Sequence, residues 1–176
     1  MVKYAGKYIG NKVSDIFFYS LFIRKFNLDE IVIAAVACGG LERLAEMSVM
    51  MKSAILMMNK HNLNDKTLKF LIFTNNLARE TEKLLNDWKQ KTNQTLTWDI
   101  RPPLYPPMSE IQEPIVSAFA PCATQRLFFP QILPEYTSVL YVDTDIIFLQ
   151  DPFEIWKNLD KMEQKSFGLV SENDDA

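Results

Sequence analysis

Along the chain, short continuous apolar blocks alternate with longer stretches in which apolar residues recur every three or four positions. Ile31 to Ala37 is partly β-branched and is stopped by Cys38-Gly39-Gly40, the pattern of a strand buried on both faces. From Leu41 to Asn59, Leu41, Leu44, Met51, Ile55 and Met58 keep helical spacing while Glu42, Glu46 and Lys52 give a polar side, which predicts an amphipathic helix. Leu68 to Phe73 predicts a second buried strand, Ala78 to Lys91 a second helix, and Thr95 to Ile100 a third strand with one covered face. Arg101 to Pro107 carries four prolines and excludes both helix and central strand. Beyond it, Pro121 opens a helix through Thr124, Arg126, Phe128 and Phe129, disturbed by Pro130 or Pro134. Val139 to Val142 predicts a buried strand ending at Asp143. Asp151-Pro152 reads as an N-cap followed by proline at the first helical position, with a short helix through Ile155, Trp156 and Leu159. Phe167 to Val170 predicts one more strand.

Strand and helix therefore alternate from Ile31 onward. That order predicts an α/β domain with a mainly parallel sheet flanked by helices, wound by right-handed crossovers. Residues 31–176 carry the pattern, and residues 1–30 are left unassigned. Ile16 to Ile23 is the most apolar stretch near the amino terminus, but Tyr19 and Ser20 interrupt it and it is far short of the ~20 residues needed to cross a bilayer. No membrane span is expected.

Composition narrows the partners. At 48% hydrophobic residues the chain has ample material for a core, and a formal charge of -3 gives no basic face for nucleic acid. An anionic ligand must be held locally. The two cysteines, Cys38 and Cys122, exclude a disulfide-dense scaffold and a zinc-type cluster; one bridge and two buried thiols both fit. Met47, Met50, Met51, Met57 and Met58 read as packing residues. His61 falls in a polar run after the first helix and reads as a solvated loop residue with no assigned role. Asn93-Gln94-Thr95 is a glycosylation triplet, usable only in a secretory compartment.

Ligands of open α/β sheets bind beyond the carboxyl ends of the strands, and two candidate sites lie there. Ala37-Cys38-Gly39-Gly40 has glycines that let the backbone turn sharply and approach a ligand. Asp143-Thr144-Asp145 places two carboxylates two residues apart in a strongly apolar surround. In an extended backbone both would point to one side. Their repulsion asks for a compensating cation, and a hard divalent ion takes oxygen ligands while leaving positions for phosphate. Arg126, on the preceding helix, is the natural third member, since its planar fork suits a phosphate.

These residues carry a resemblance to the family 8 retaining glycosyltransferases, and within them to the glucoside xylosyltransferase group. The matching stretches are Val36-Ala37-Cys38-Gly39, Glu42-Arg43-Leu44, Met51-Lys52-Ser53-Ala54-Ile55, Pro121-Cys122-Ala123-Thr124-Gln125-Arg126-Leu127-Phe128 and Leu140-Tyr141-Val142-Asp143-Thr144-Asp145. The resemblance implies a GT-A, Rossmann-like nucleotide-sugar-binding fold in which Val36, Cys38 and Gly39 line the uridine and ribose pocket. It implies that Arg126 faces the donor diphosphate or sugar, that Asp143-Thr144-Asp145 binds the donor, and that Asp143 and Asp145 bind the metal, manganese with magnesium as the alternative. The implied reaction is retaining transfer of xylose from UDP-xylose to O-linked glucose on EGF-like repeats, in the Golgi membrane or lumen. No catalytic nucleophile is assigned. Family members continue into an acceptor-binding half and a downstream histidine that completes the metal site, whereas the one histidine here is His61. The expectation is a fold truncated before the acceptor half, with an incomplete metal site. The alternatives are a noncatalytic UDP-sugar-binding module or pseudoenzyme and, more remotely, a haloacid-dehalogenase-like phosphatase. The phosphatase's Asp-x-Asp opens its fold and needs downstream motifs for which only 31 residues follow Asp145.

Overall fold

The computed structural model describes residues 16–20, 27–107, 122–162 and 167–169. One six-stranded sheet organises them: β1 (Ile16–Ser20), β2 (Glu30–Val36), β3 (Thr67–Phe73), β4 (Thr95–Arg101), β5 (Ser138–Val142) and β6 (Phe167–Leu169), in the spatial order β4-β3-β2-β5-β1-β6. The four strands β4, β3, β2 and β5 run parallel. β1 pairs antiparallel with β5 and β6. The mainly parallel α/β sheet expected from the apolar pattern is thus present, and the segment left unassigned contributes β1 to it.

The parallel strands follow from their crossovers. Helix α1 (Leu41–Lys60) joins β2 to β3, and α2 (Ala78–Lys91) joins β3 to β4, the long connections that adjacent parallel strands require. Met47, Met50, Met51, Ala54 and Met58 of α1 are at most 1% exposed, and each fully buried methionine contributes on the order of 1.5–3 kcal/mol by removal from water. The methionines pack, as their spacing suggested. Leu41, counted on the apolar stripe, is instead 67% exposed at the first position of α1.

Residues of alternate parity point to opposite faces of the sheet. Ile31, Ile33, Leu68, Phe70 and Ile72 are essentially inaccessible on one face. On the other, Phe73 and Tyr141 pack edge or tilted against Phe129, with ring centroids 5.4 and 5.6 Å apart. Phe129 begins α3 (Phe129–Ile132), which continues directly from a 3-10 helix, η1 (Ala123–Phe128). The single helix predicted here is therefore two short pieces. The tight i+3 bond from Gln125 N–H to Cys122 O starts the first, and Pro130 sits early in the second, where its missing N–H costs nothing. Pro121 lies outside the described residues. After β5, α4 (Pro152–Trp156) and η2 (Lys157–Met162) follow. Asp151 caps α4 by accepting the Glu154 N–H at 3.0 Å, as its sequence predicts.

His61 is not simply solvated. It closes the end of α1 and its Nδ1 lies 2.9 Å from the buried carboxylate of Asp151, linking the end of one helix to the start of another.

Candidate donor site at the gap between β2 and β5

The chain leaves β2 toward β3 on one side, while β5 lies on the other side of β2 and is followed by neighbours beyond it. The carboxyl ends of β2 and β5 thus flank the point where strand order reverses, the place where open α/β sheets bind ligands. Cys38-Gly39-Gly40 follows one of these ends and Asp143-Thr144-Asp145 the other.

On the β2 side, Ala37 N–H still pairs with Phe73 O at 2.8 Å. Gly39 then takes φ 132°, a conformation that L side chains rarely adopt. A Cβ added there would meet Arg43 Cγ at 3.3 Å. Glu42 caps the start of α1 from within, accepting the Gly40 N–H at 3.1 Å. Bonds from the Glu42 and Gly40 backbone N–H groups hold its carboxyl below the ordinary range.

On the β5 side, the strand ends at Val142 and the motif turns, closed by Ile146 N–H donating to Asp143 O at 3.3 Å. The motif is not extended, so the two carboxylates do not share one strand face as expected. They meet different surroundings. Asp143 is partly buried and accepts from Arg126 Nη1 at 3.1 Å on each oxygen. It also accepts from the Tyr141 hydroxyl, and the Arg126 guanidinium lies 5.2 Å from the centre of the Tyr141 ring. Asp145 is exposed. Thr144 is buried, and its hydroxyl donates to Glu46 Oε2 of α1 at 3.3 Å. Ser53, seven residues further along α1, accepts the Phe148 N–H at 2.9 Å. Helix α1 therefore holds the turn and the segment after it at two points.

Cys38 and Cys122 are bridged, with Cα atoms 6.1 Å apart, which decides between the two states the sequence left open. The bridge fastens the end of β2 to the start of η1, the helix carrying Arg126. Val36, Cys38 and Gly39 are thereby tied to Arg126 covalently, and Arg126 to Asp143 by the ion pair. The sequence-predicted residues converge on one gap. Arg43 and Glu46 also reach it; sequence reasoning placed Glu46 on a solvated helix side and gave Arg43 no role. Their signal was position, in the first two turns after a strand-end glycine.

The donor set suits a hard divalent cation: Asp143 and Asp145 supply carboxylate oxygens, and a carboxylate has about four lone-pair sites, enough to accept hydrogen bonds and still ligate. Among the described residues no group of three or more His, Cys, Asp or Glu side chains that could hold a metal ion is present.

The sequence profile of glycosyl transferase family 8 matches residues 19–175. The chain belongs to this family. It is 40% identical over 156 residues to glucoside xylosyltransferase 1 of Homo sapiens, covering 88% of this chain and 32% of that protein. It is 41% identical over 130 residues to glucoside xylosyltransferase 2 of Mus musculus, covering 72% and 27%, and 41% identical over 142 residues to glucoside xylosyltransferase 1 of Gallus gallus, covering 79% and 30%. It spans about a third of the length of these relatives. None of its described helices is long and apolar enough to cross a membrane.

A second polar region lies on the sheet face near Tyr136, around a cleft of about 510 Å³. Arg101 donates to Asp99 at 2.9 Å through Nε and to Glu135 at 2.6 Å through Nη1, and the Tyr136 hydroxyl donates to Asp99 at 3.2 Å. Lys69 Nζ sits 4.9 Å from the centre of the Tyr136 ring. The Arg101 bond, above all, holds the Asp99 carboxyl below the ordinary range, while burial pushes the Tyr136 phenol up.

Proposed function

We propose that this chain is the donor-binding part of a retaining glycosyltransferase that moves xylose from UDP-xylose to O-linked glucose on EGF-like repeats. The observation that carries the reading is the meeting of Gly39 and Asp143-Thr144-Asp145 across the strand-order reversal. Family membership supports glycosyl transfer, and the names of the relatives support xylose as the sugar and a glucoside as acceptor.

In this reading the turn at Gly39 brings backbone close to the uridine and ribose, with Val36 and Cys38 beside it. Asp143 and Asp145 would hold manganese or magnesium, which would neutralise charge on the departing diphosphate. Arg126 orients Asp143 and adds a fixed positive charge beside the diphosphate. The bond from the xylose anomeric carbon to UDP breaks, one to the acceptor oxygen forms on the same face, and the acceptor's hydroxyl proton passes to the departing diphosphate. The Cys38–Cys122 bridge suits an oxidising compartment, in keeping with action in the Golgi lumen.

Titration calorimetry with UDP and Mn2+, followed by UDP-xylose turnover on a glucosylated EGF-like repeat, tests this. The expected outcome is manganese-dependent UDP binding, lost in Asp145→Asn, with xylose transferred. Binding without turnover restricts the chain to a donor-binding module. UDP binding indifferent to Asp145→Asn overturns the reading.

A further inference from the structure

Arg126 is already committed to Asp143, which leaves open what meets the charge of a diphosphate on the α1 side of the gap. Arg43 stands there. Its stem passes over Gly39, close enough that a Cβ on Gly39 would touch Arg43 Cγ. Its Nη1 lies 2.7 Å from Glu46 Oε2, the same oxygen that accepts from Thr144. The side chain therefore bridges the two strand ends that form the site, from Gly39 to the Asp-Thr-Asp turn. Glu46 foremost, and more weakly Glu42 and Asp145, favour its charged form.

We propose that Arg43 is a donor-binding residue that exchanges its contact with Glu46 for a phosphate oxygen of the nucleoside diphosphate. This rests on the UDP-sugar reading above. Arg43 and Glu46 are respectively 51% and 38% exposed, and ion pairs this open contribute little, so giving up the pair costs little. A guanidinium also offers five N–H donors in a fork that matches a phosphate, of which Glu46 engages one nitrogen. Thr144 stays on Glu46 when Arg43 leaves, and the Asp-Thr-Asp turn keeps its anchor.

The full chain is titrated with UDP plus Mn2+ and, separately, with uridine. Arg43→Gln is expected to weaken Mn2+-UDP binding about tenfold or more, the scale of one lost charge-assisted bond, and to leave uridine binding unchanged. Glu46→Gln, which frees Arg43, is expected to match or exceed the unmodified chain. If both variants weaken UDP equally, the pair is only a scaffold and the proposal falls. If Arg43→Gln binds UDP like the unmodified chain, the proposal falls while the donor reading stands. An unmodified chain that binds no UDP overturns both.

A separate observation carries a second inference, independent of the donor. Asn93 and Thr95 are exposed at the bend between α2 and β4, while Gln94 between them is buried and donates to Lys66 O. The geometry points to Asn93 as an N-glycan acceptor: the triplet Asn93-Gln94-Thr95 satisfies the acceptor rule, its first side chain faces solvent, and the Cys38–Cys122 bridge suits the compartment in which glycans are added. The chain is secreted from a eukaryotic host behind a supplied signal peptide and digested with an asparagine-glycan amidase. A mass loss of one glycan, absent in Asn93→Gln, is expected. An oxidised, secreted chain carrying no glycan at Asn93 overturns the inference.

Discussion

Two charged clusters sit on one sheet and differ in how they close. Around Asp99, each charge meets a partner: Arg101 binds two carboxylates, Tyr136 donates to Asp99, and Lys69 lies over the Tyr136 ring. At the gap between β2 and β5 the accounting is unfinished. Asp143 is held by Arg126 and Tyr141, yet Asp145 beside it is exposed with no hydrogen bond or ion pair among the described residues, and Arg43 hangs from a single carboxylate oxygen. A satisfied network rigidifies and specifies the fold. In the donor-binding reading proposed above, the carboxylate left open beside a paired one is completed by a ligand, and on that reading the difference separates structural charge from functional charge.

The largest expected effect concerns what holds the open cluster together. The bridge closes a loop across a sequence separation of 84 residues, for which the chain-entropy account gives about 4.6 kcal/mol. Cys122→Ser, or reduction in a urea titration, is expected to lower unfolding free energy by that order and to weaken UDP binding, because η1 and Arg126 lose their covalent tie to β2. The Asp99 cluster has no such dependence. If reduction left UDP binding intact, the ion pair to Asp143 alone would be positioning η1.

A crossed pair of substitutions sharpens the contrast. Asp145→Asn removes a carboxylate that makes no hydrogen bond or ion pair among the described residues, so Mn2+-UDP binding is expected to fall about 100-fold, with unfolding free energy changed by less than about 0.5 kcal/mol. Asp99→Asn removes the negative charge on the side chain that Arg101 and Tyr136 share, and is expected to cost about 1–2 kcal/mol of stability while UDP binding holds. Calorimetry and urea titration on the same two variants read both columns. Asp99→Asn abolishing UDP binding would break the division.

Much of this could be read from the chain. β2 through β5, α1 and α2 were legible because each repeats one period long enough to be told from the other, and Asp151-Pro152 marked its helix by local chemistry alone. η1 was not legible as a 3-10 helix, since six residues do not separate a period of 3.0 from 3.6. β1 was missed because its partners, β5 and β6, lie more than a hundred residues away, and nothing local in Ile16 to Ser20 names them. Within the site, Asp143, Asp145 and Arg126 stood out as chemistry in apolar surroundings. Glu46 did not, because its partner Thr144 is 98 residues distant and a glutamate on a helix's polar side looks solvated. The end of β5 at Asp143 was legible, but the turn through Asp143-Thr144-Asp145 was not, since an apolar pattern does not fix the backbone of the polar residues that follow a strand.

The closed cluster carries a pH signature. Asp99 has its folded pKa depressed, chiefly by Arg101, so it adds stability above its unfolded value of about 3.9 and loses it as pH falls through the folded value. The gap in unfolding free energy between the unmodified chain and Asp99→Asn is therefore expected to be full at pH 6 and to shrink below about pH 4. A gap that widened in acid would mean that Asp99 is not the charged partner in this network.

The smallest effect tests whether the closed cluster is redundant. Glu135 is the outer member, 46% exposed, and pairs with the more buried Arg101. Because Arg101 keeps both of its bonds to Asp99 when Glu135 is neutralised, Glu135→Gln leaves no buried charge unpaired. The expected cost is about 0.3 kcal/mol, the scale of an exposed ion pair, with no change in UDP binding. It is resolved by comparing urea midpoints at low and high salt, where the difference should vanish at high salt. A salt-independent loss above about 1 kcal/mol would show that Arg101 needs both carboxylates, and that the cluster closes cooperatively rather than by surplus.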